Sequence, residues 1–215
     1  MNAVVVFDYN GTLLNDVQAG WKACNHMLEH YGRTPVSFEE FRETYTMPWT
    51  GFLIHHGVRS KQIDVAAHQR EWHRIYDAAI KKLLVPDKRI RELLEFLKAK
   101  GVRLGVLSSR NENALKEELA ALGIGTFFEA IVGEKGLAQG AHRAEKETRE
   151  LIAKMRLTKP EEVFYVGDTT ADIKVARDHG FISIVVTNGW QTKERLLAMK
   201  PDFVMKDIEG LRKIV

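Results

Sequence analysis

At 215 residues the chain is long enough for one substantial core, or for a core with a smaller appended unit. Hydrophobic residues make up 45% and charged residues 28%, and 32 basic against 29 acidic side chains leave a net charge of +3. That charge, with no compact basic block interleaved with aromatics, argues against a nucleic-acid partner. The single cysteine, Cys24, allows neither a disulfide framework nor a thiolate zinc site. No apolar run approaches the ~20 residues of a membrane span, so no membrane partner and a cytoplasmic location are expected.

The apolar run Ala3-Val4-Val5-Val6-Phe7 predicts a buried strand that begins within three residues of the start, which leaves no room for a signal peptide. It runs straight into Asp8-Tyr9-Asn10-Gly11-Thr12-Leu13-Leu14. A carboxylate is thus thrown off the end of a strand into a Gly-containing turn, the place where an open α/β sheet collects its reacting groups. Residues 15–84 have a different rhythm. Val17, Trp21, Cys24, Leu28 and Tyr31 fall at helical spacing, shorter helical or loop pieces lie around 38–45 and 51–56, and a long helical stretch is expected from Ser60 through Ile63, Ala67, Ile75, Ala79 and Leu83. Such an insert reads as a lid whose ends return to the mouth of the first strand. Its Trp21, Trp49 and Trp72, with the pair His55-His56, read as packing, and Thr46-Met47-Pro48-Trp49 as a loop able to dip towards a leaving group.

From residue 86 helices and strands alternate. A helix after Pro86-Asp87 ends at Gly101, and strand 102–107 leads to a helix over 111–122. A short strand near 130–132, a helix over 141–155, strand 163–166, a helix over 171–179, strand 182–186, a weak strand 203–205 and a terminal helix follow. The expected class is α/β: a Rossmann-like parallel sheet sandwiched by helices, with an α-helical cap inserted after the first strand. Residues 1–14 and 85–215 form the core domain and 15–84 the cap.

Polar groups cluster in four segments at strand ends or helix starts: Asp8, then Ser108-Ser109-Arg110, then the basic helical stretch His142-Arg143-Ala144-Glu145-Lys146, then Gly167-Asp168-Thr169-Thr170-Ala171-Asp172. Asp8, Asp168 and Asp172 brought to one sheet edge would repel one another and need a cation, and an all-oxygen set suits Mg2+. That cation would neutralise a phosphate held against the carboxylates, the electrostatic need of phosphoryl transfer. Ser108 and nearby amides are donors for phosphate oxygens, and Asp8 is free to attack. Ser109 and Arg110 alone read as turn residues.

In order and content these segments resemble the motifs of the haloacid dehalogenase superfamily. The insert resembles the small helical cap of its phosphoglycolate phosphatase-like members, and Thr187-Asn188-Gly189-Trp190-Gln191-Thr192 resembles their loop after the fifth strand. The resemblance implies a Mg2+-dependent phosphatase of small phosphorylated metabolites that works through an aspartyl-phosphate intermediate. It makes Asp8 the nucleophile and Asp8, Asp168, Asp172 and the backbone carbonyl of Asn10 the metal ligands. It places Ser108, Ser109, Gly11 and Thr12 around the phosphate. Lys146 is the third-motif cation, with Lys135 and Arg143 as competitors.

The pattern departs at Asn10, where the family carries a second Asp that moves the proton. Such acid–base help is typically worth ~10²–10⁴ in rate, and a neutral amide does not supply it. A slow phosphatase is therefore expected, or one rescued by another side chain such as a cap histidine. The alternative is a phospholigand-binding or regulatory protein on the same scaffold, which restoration of activity by Asn10→Asp would mark. A phosphonatase-like reading needs a cap lysine, for which Lys22 is the candidate.

Overall fold

Six parallel strands form the sheet in the computed structural model, which describes residues 3–135, 145–159 and 162–215. They are β1 (Val4–Phe7), β2 (Arg103–Asn111), β3 (Ala130–Glu134), β4 (Val163–Gly167), β5 (Ile182–Val186) and β6 (Phe203–Met205), in the order β3-β2-β1-β4-β5-β6. β1 is buried along its whole length because it lies mid-sheet with helices on both faces. Its side chains alternate accordingly: Val5 and Phe7 pack into one apolar cluster, Val4 and Val6 into another. The chain order reverses at β1, and Phe7 is level with Val106 and Val166. The segments that leave β1, β2 and β4 therefore emerge side by side at the switch point, where such sheets bind ligands.

The segment after β1 holds α1 (Val17–His30), α2 (Phe38–Thr44), α3 (Thr50–His55) and α4 (Val65–Ile80). These helices share a separate apolar cluster built on Cys24, Met27, Leu28, Phe41, Phe52 and Tyr76, and the cluster also takes in Trp190 from beyond β5. The long helix expected from Ser60 is broken. Residues Ser60–Gln62 form a 3-10 turn, and α4 begins only after Asp64, whose carboxylate caps the Ala67 amide at 3.0 Å.

Around the sheet lie α5 (Lys88–Ala99), α6 (Glu112–Ala121), α7 (Glu145–Met155), α8 (Thr170–Asp178) and α9 (Lys193–Ala198), and a 3-10 helix over Ile208–Lys213 ends the chain. β2 runs four residues beyond its expected end, so Ser108, Ser109 and Arg110 lie in a strand rather than a turn. Asn111 is the reason: its side chain accepts from the amides of Asn113 and Ala114, so it caps α6 and the strand reaches it through a register shift after Leu107. Residues 141–144 of the helix expected over 141–155 lie outside the described residues, as do His142 and Arg143 of the basic stretch. Among the described residues no helix is long and apolar enough to cross a membrane.

Candidate active site

Asp8, Asp168 and Asp172 meet at the carboxyl edge of the sheet. Each is buried, and each offers one carboxylate oxygen within 4.8 Å of the others. Hydrogen bonds fix Asp168 and Asp172 individually. Asp168 accepts from the Thr12 hydroxyl at 3.2 Å and the Trp190 amide at 2.6 Å. Asp172 sits in the first turn of α8, where its Oδ2 accepts from the amides of Asp168 and Thr169 and from the Thr169 hydroxyl. Three buried carboxylates this close repel strongly unless a cation or protons intervene, and hard oxygen donors match a divalent ion such as Mg2+. The residues present therefore fit a metal of that kind.

Gly11 permits the approach. It has φ of +76°, and a Cβ there would lie 2.2 Å from Asp168 Oδ2. The turn also uses up the donors expected to face a phosphate: the Gly11 amide donates to Asp16 Oδ1 and Leu14 O, and the Thr12 amide donates to Tyr9 O. Ser108 is buried, with its Oγ accepting from the Arg110 amide at 3.1 Å, and Ser109 lines the cavity above the carboxylates. Asn10 lines the same cavity, and its Nδ2 is 2.7 Å from Asp16 Oδ2 and 2.6 Å from the Tyr76 hydroxyl.

The third-motif cations are less well placed. Lys146 is exposed on the first turn of α7 and is outside the cavity lining. Lys135 holds Glu150 at 2.5 Å and Glu112 at 3.6 Å and does not line the cavity. Arg143 lies outside the described residues. Lys22, the candidate for Schiff-base chemistry, is exposed on α1 and does not line the cavity.

Several cavity residues escape a sequence reading. Arg110 is almost wholly buried rather than a turn residue. Its guanidinium bridges Glu118 at 2.6 Å and Asp77 of α4 at 2.7 Å, and it lies 5.4 Å from the centre of the Tyr76 ring. Burial works against the Arg110 charge, but Glu118 and Asp77 more than offset it and hold the group protonated. Its neighbour His73 also lines the cavity, and burial followed by the Arg110 charge holds the imidazole below its usual pKa. Glu134 at the end of β3 lines the cavity too; burial and the nearby Glu147 push its carboxyl up to about 7. Met47, Trp49 and Trp72 complete the apolar wall, so the loop at 46–49 does reach the cavity while Trp49 and Trp72 remain packed in the helical cluster. His55 and His56 meet edge to face, and His56 packs against Phe52.

A family model for haloacid dehalogenase-like hydrolases matches residues 5–186, from the strand that carries Asp8 to the end of β5. The chain belongs to that family. Curated relatives of similar sequence include a phosphoglycolate phosphatase of Pseudomonas putida, 25% identical over 97% of this chain and 78% of that protein. Another is the pyrophosphatase PpaX of Bacillus pumilus, 24% identical over 98% of this chain and 95% of its own. Among solved structures, a haloacid dehalogenase-like family hydrolase from Streptococcus pneumoniae superposes with a TM-score of 0.75 at 21% identity, covering 99% of this chain and 98% of the other. CbbY from Rhodobacter sphaeroides, solved with phosphate, gives 0.74 at 18% identity over 98% and 96%. These structures share the fold of this haloacid dehalogenase-like hydrolase: the parallel sheet and its flanking helices.

Proposed function

We propose that the protein is a Mg2+-dependent phosphatase of small phosphate monoesters. The observation that carries this reading is the buried Asp8–Asp168–Asp172 cluster, whose Asp8 lines a cavity roofed by the inserted helices, in a chain whose curated relatives include phosphatases. Residues 15–84 act as a lid that keeps water out during the first transfer.

Asp8 attacks phosphorus through a carboxylate oxygen; the bond to the ester oxygen breaks, and the leaving group departs with its electron pair. Water then attacks phosphorus of the acyl phosphate and the P–O bond to Asp8 breaks, its electron pair returning to the carboxylate; one hydrogen of the water stays on the released phosphate and the other passes through solvent to the departed alkoxide. Asp8, Asp168, Asp172 and the Asn10 carbonyl would hold Mg2+, which when bound would neutralise phosphate charge against the carboxylates. Ser108 and Ser109 orient the phosphoryl group, and the order of the motifs assigns the balancing cation to Lys146. Asn10 offers no proton to the leaving oxygen, so esters with low-pKa leaving groups are the favoured substrates. With Lys22 exposed, the phosphonatase reading has no amine among the described cavity residues.

The test is phosphate release from p-nitrophenyl phosphate with Mg2+ or EDTA, on this chain and on Asp8→Asn and Asp8→Ala. Turnover is expected to require the metal and to fall at least ~10³-fold in both variants. Activity that survives Asp8→Ala would sink the aspartyl-phosphate route. Mg2+ is also expected to raise the thermal midpoint of the parent, and Asp168→Asn to abolish that rise.

A further inference from the structure

Six residues after Asn10, a second polar side chain meets it inside the fold. Asp16 is fully buried, and its two oxygens take separate sets of donors. Oδ1 accepts from the Gly11 amide and the Trp190 indole, each at 2.8 Å. Oδ2 accepts from Asn10 Nδ2 at 2.7 Å and from the Tyr76 hydroxyl. A carboxylate accepts and never donates when ionised, so the amide at position 10 meets it through nitrogen. Asn10 Nδ2 also lies 2.6 Å from the Tyr76 oxygen, so the amide nitrogen is turned towards the Asp16–Tyr76 pair. The amide oxygen is then the polar atom that Asn10 presents to the cavity it lines.

We propose that Asp16 is a positioning residue for the reaction: it locks Asn10 so that an acceptor faces the reacting phosphate, and positions 10 and 16 work only as an amide–carboxylate pair. The inference rests on the phosphatase reading above. In the second half-reaction the Asn10 oxygen accepts a hydrogen from the attacking water and aims its lone pair at phosphorus. Asp16 does not line the cavity; its effect passes through Asn10, with Tyr76 of α4 on the same carboxylate oxygen and Trp190 on the other.

The pairing sets a condition on repair of the site. Asn10→Asp alone removes the two donors that Asp16 and Tyr76 receive and sets a second carboxylate against a buried one. Asp16→Asn alone leaves two amides competing for the same contacts. With both changes the amide introduced at position 16 keeps its oxygen for Gly11 and Trp190. Its nitrogen donates to the carboxylate introduced at position 10 and to the Tyr76 oxygen. Every contact is then remade with its direction reversed where needed.

The experiment compares the parent, Asn10→Asp, Asp16→Asn and the double variant by thermal unfolding and by steady-state hydrolysis of aryl phosphates. Each single change is expected to lower Tm by roughly 3–10 °C, as unsatisfied buried polar groups do in a chain of this size. Each is also expected to lower kcat by about 10-fold or more, with KM little changed. The double variant is expected to recover both Tm and kcat, the coupling of residues in contact. A double variant whose Tm and kcat losses equal the sum of the single losses overturns the proposal, as does Asn10→Asp that is as stable as the parent and faster. Intact Tm coupling with no phosphate release from any of the four proteins instead overturns the phosphatase reading on which it rests.

Discussion

Glu134 stands at the cavity wall with its carboxyl raised by burial and by Glu147 from an ordinary value of 4.5 to about 7. Between those two values the folded protein holds a proton that the unfolded chain has released, so stability falls as pH rises through that window and levels off above it. Glu134→Gln mimics the protonated side chain. Relative to the parent, the variant is therefore expected to gain stability that is absent near pH 4 and complete above pH 7, read from urea midpoints across that range. An unchanged difference from pH 4 to 8 would remove Glu134 from the cavity's electrostatics. Arg110 poses the opposite case among the cavity residues: its charge survives burial because Glu118 and Asp77 flank it, one from the sheet side and one from the helical insert.

At the scale of elements, the turn that carries Asp8 is shaped by what comes close to it. Gly11→Ala places a methyl where Asp168 Oδ2 lies 2.2 Å away and forces a φ of +76° on an L side chain. A loss of about 1–3 kcal/mol in unfolding free energy is expected, together with weaker Mg2+ stabilisation because Asp168 must shift. Both are measured by denaturation with and without the metal. The elements themselves were largely legible. β1 reads from an unbroken apolar run, and the helices of the sheet from periodicity closed by glycines, because each buries one stripe or two faces against the sheet. What failed is instructive in each case. The break at Asp64 is a capping bond that competes with a continuous apolar stripe, and the extension of β2 is set by Asn111 capping the next helix. The carboxylates of the site were readable because strand ends share one edge. Arg110 and Asp16 were not, since their importance lies in Asp77, Glu118, Tyr76 and Trp190, partners brought up by tertiary packing. Lys146 shows the limit in the other direction: its place in the motif order did not bring it to the cavity wall.

For the whole molecule, the helical insert is fastened to the sheet unit at two sides of the cavity. On one side Arg42 of α2 donates to the carbonyls of Thr187, Gly189 and Gln191, while Gln191 and Arg195 donate back to the Tyr45 carbonyl. On the other, Arg110 reaches Asp77 on α4. Trp190 joins the two units: its amide holds Asp168, its indole holds Asp16, and its ring packs 4.7 Å from Tyr45 and 5.7 Å from Phe41. The apolar interior of the insert is thus completed by a residue from the far end of the chain. This arrangement makes the protein its own optical gauge. Of its four tryptophans, Trp49, Trp72 and Trp190 line the cavity, and Trp21 is the remote one. Titration with inorganic phosphate in the presence of Mg2+ is therefore expected to change the intrinsic emission, and Trp190→Phe to remove much of the change. The light the protein gives off would then report, without any label, whether its cavity is filled.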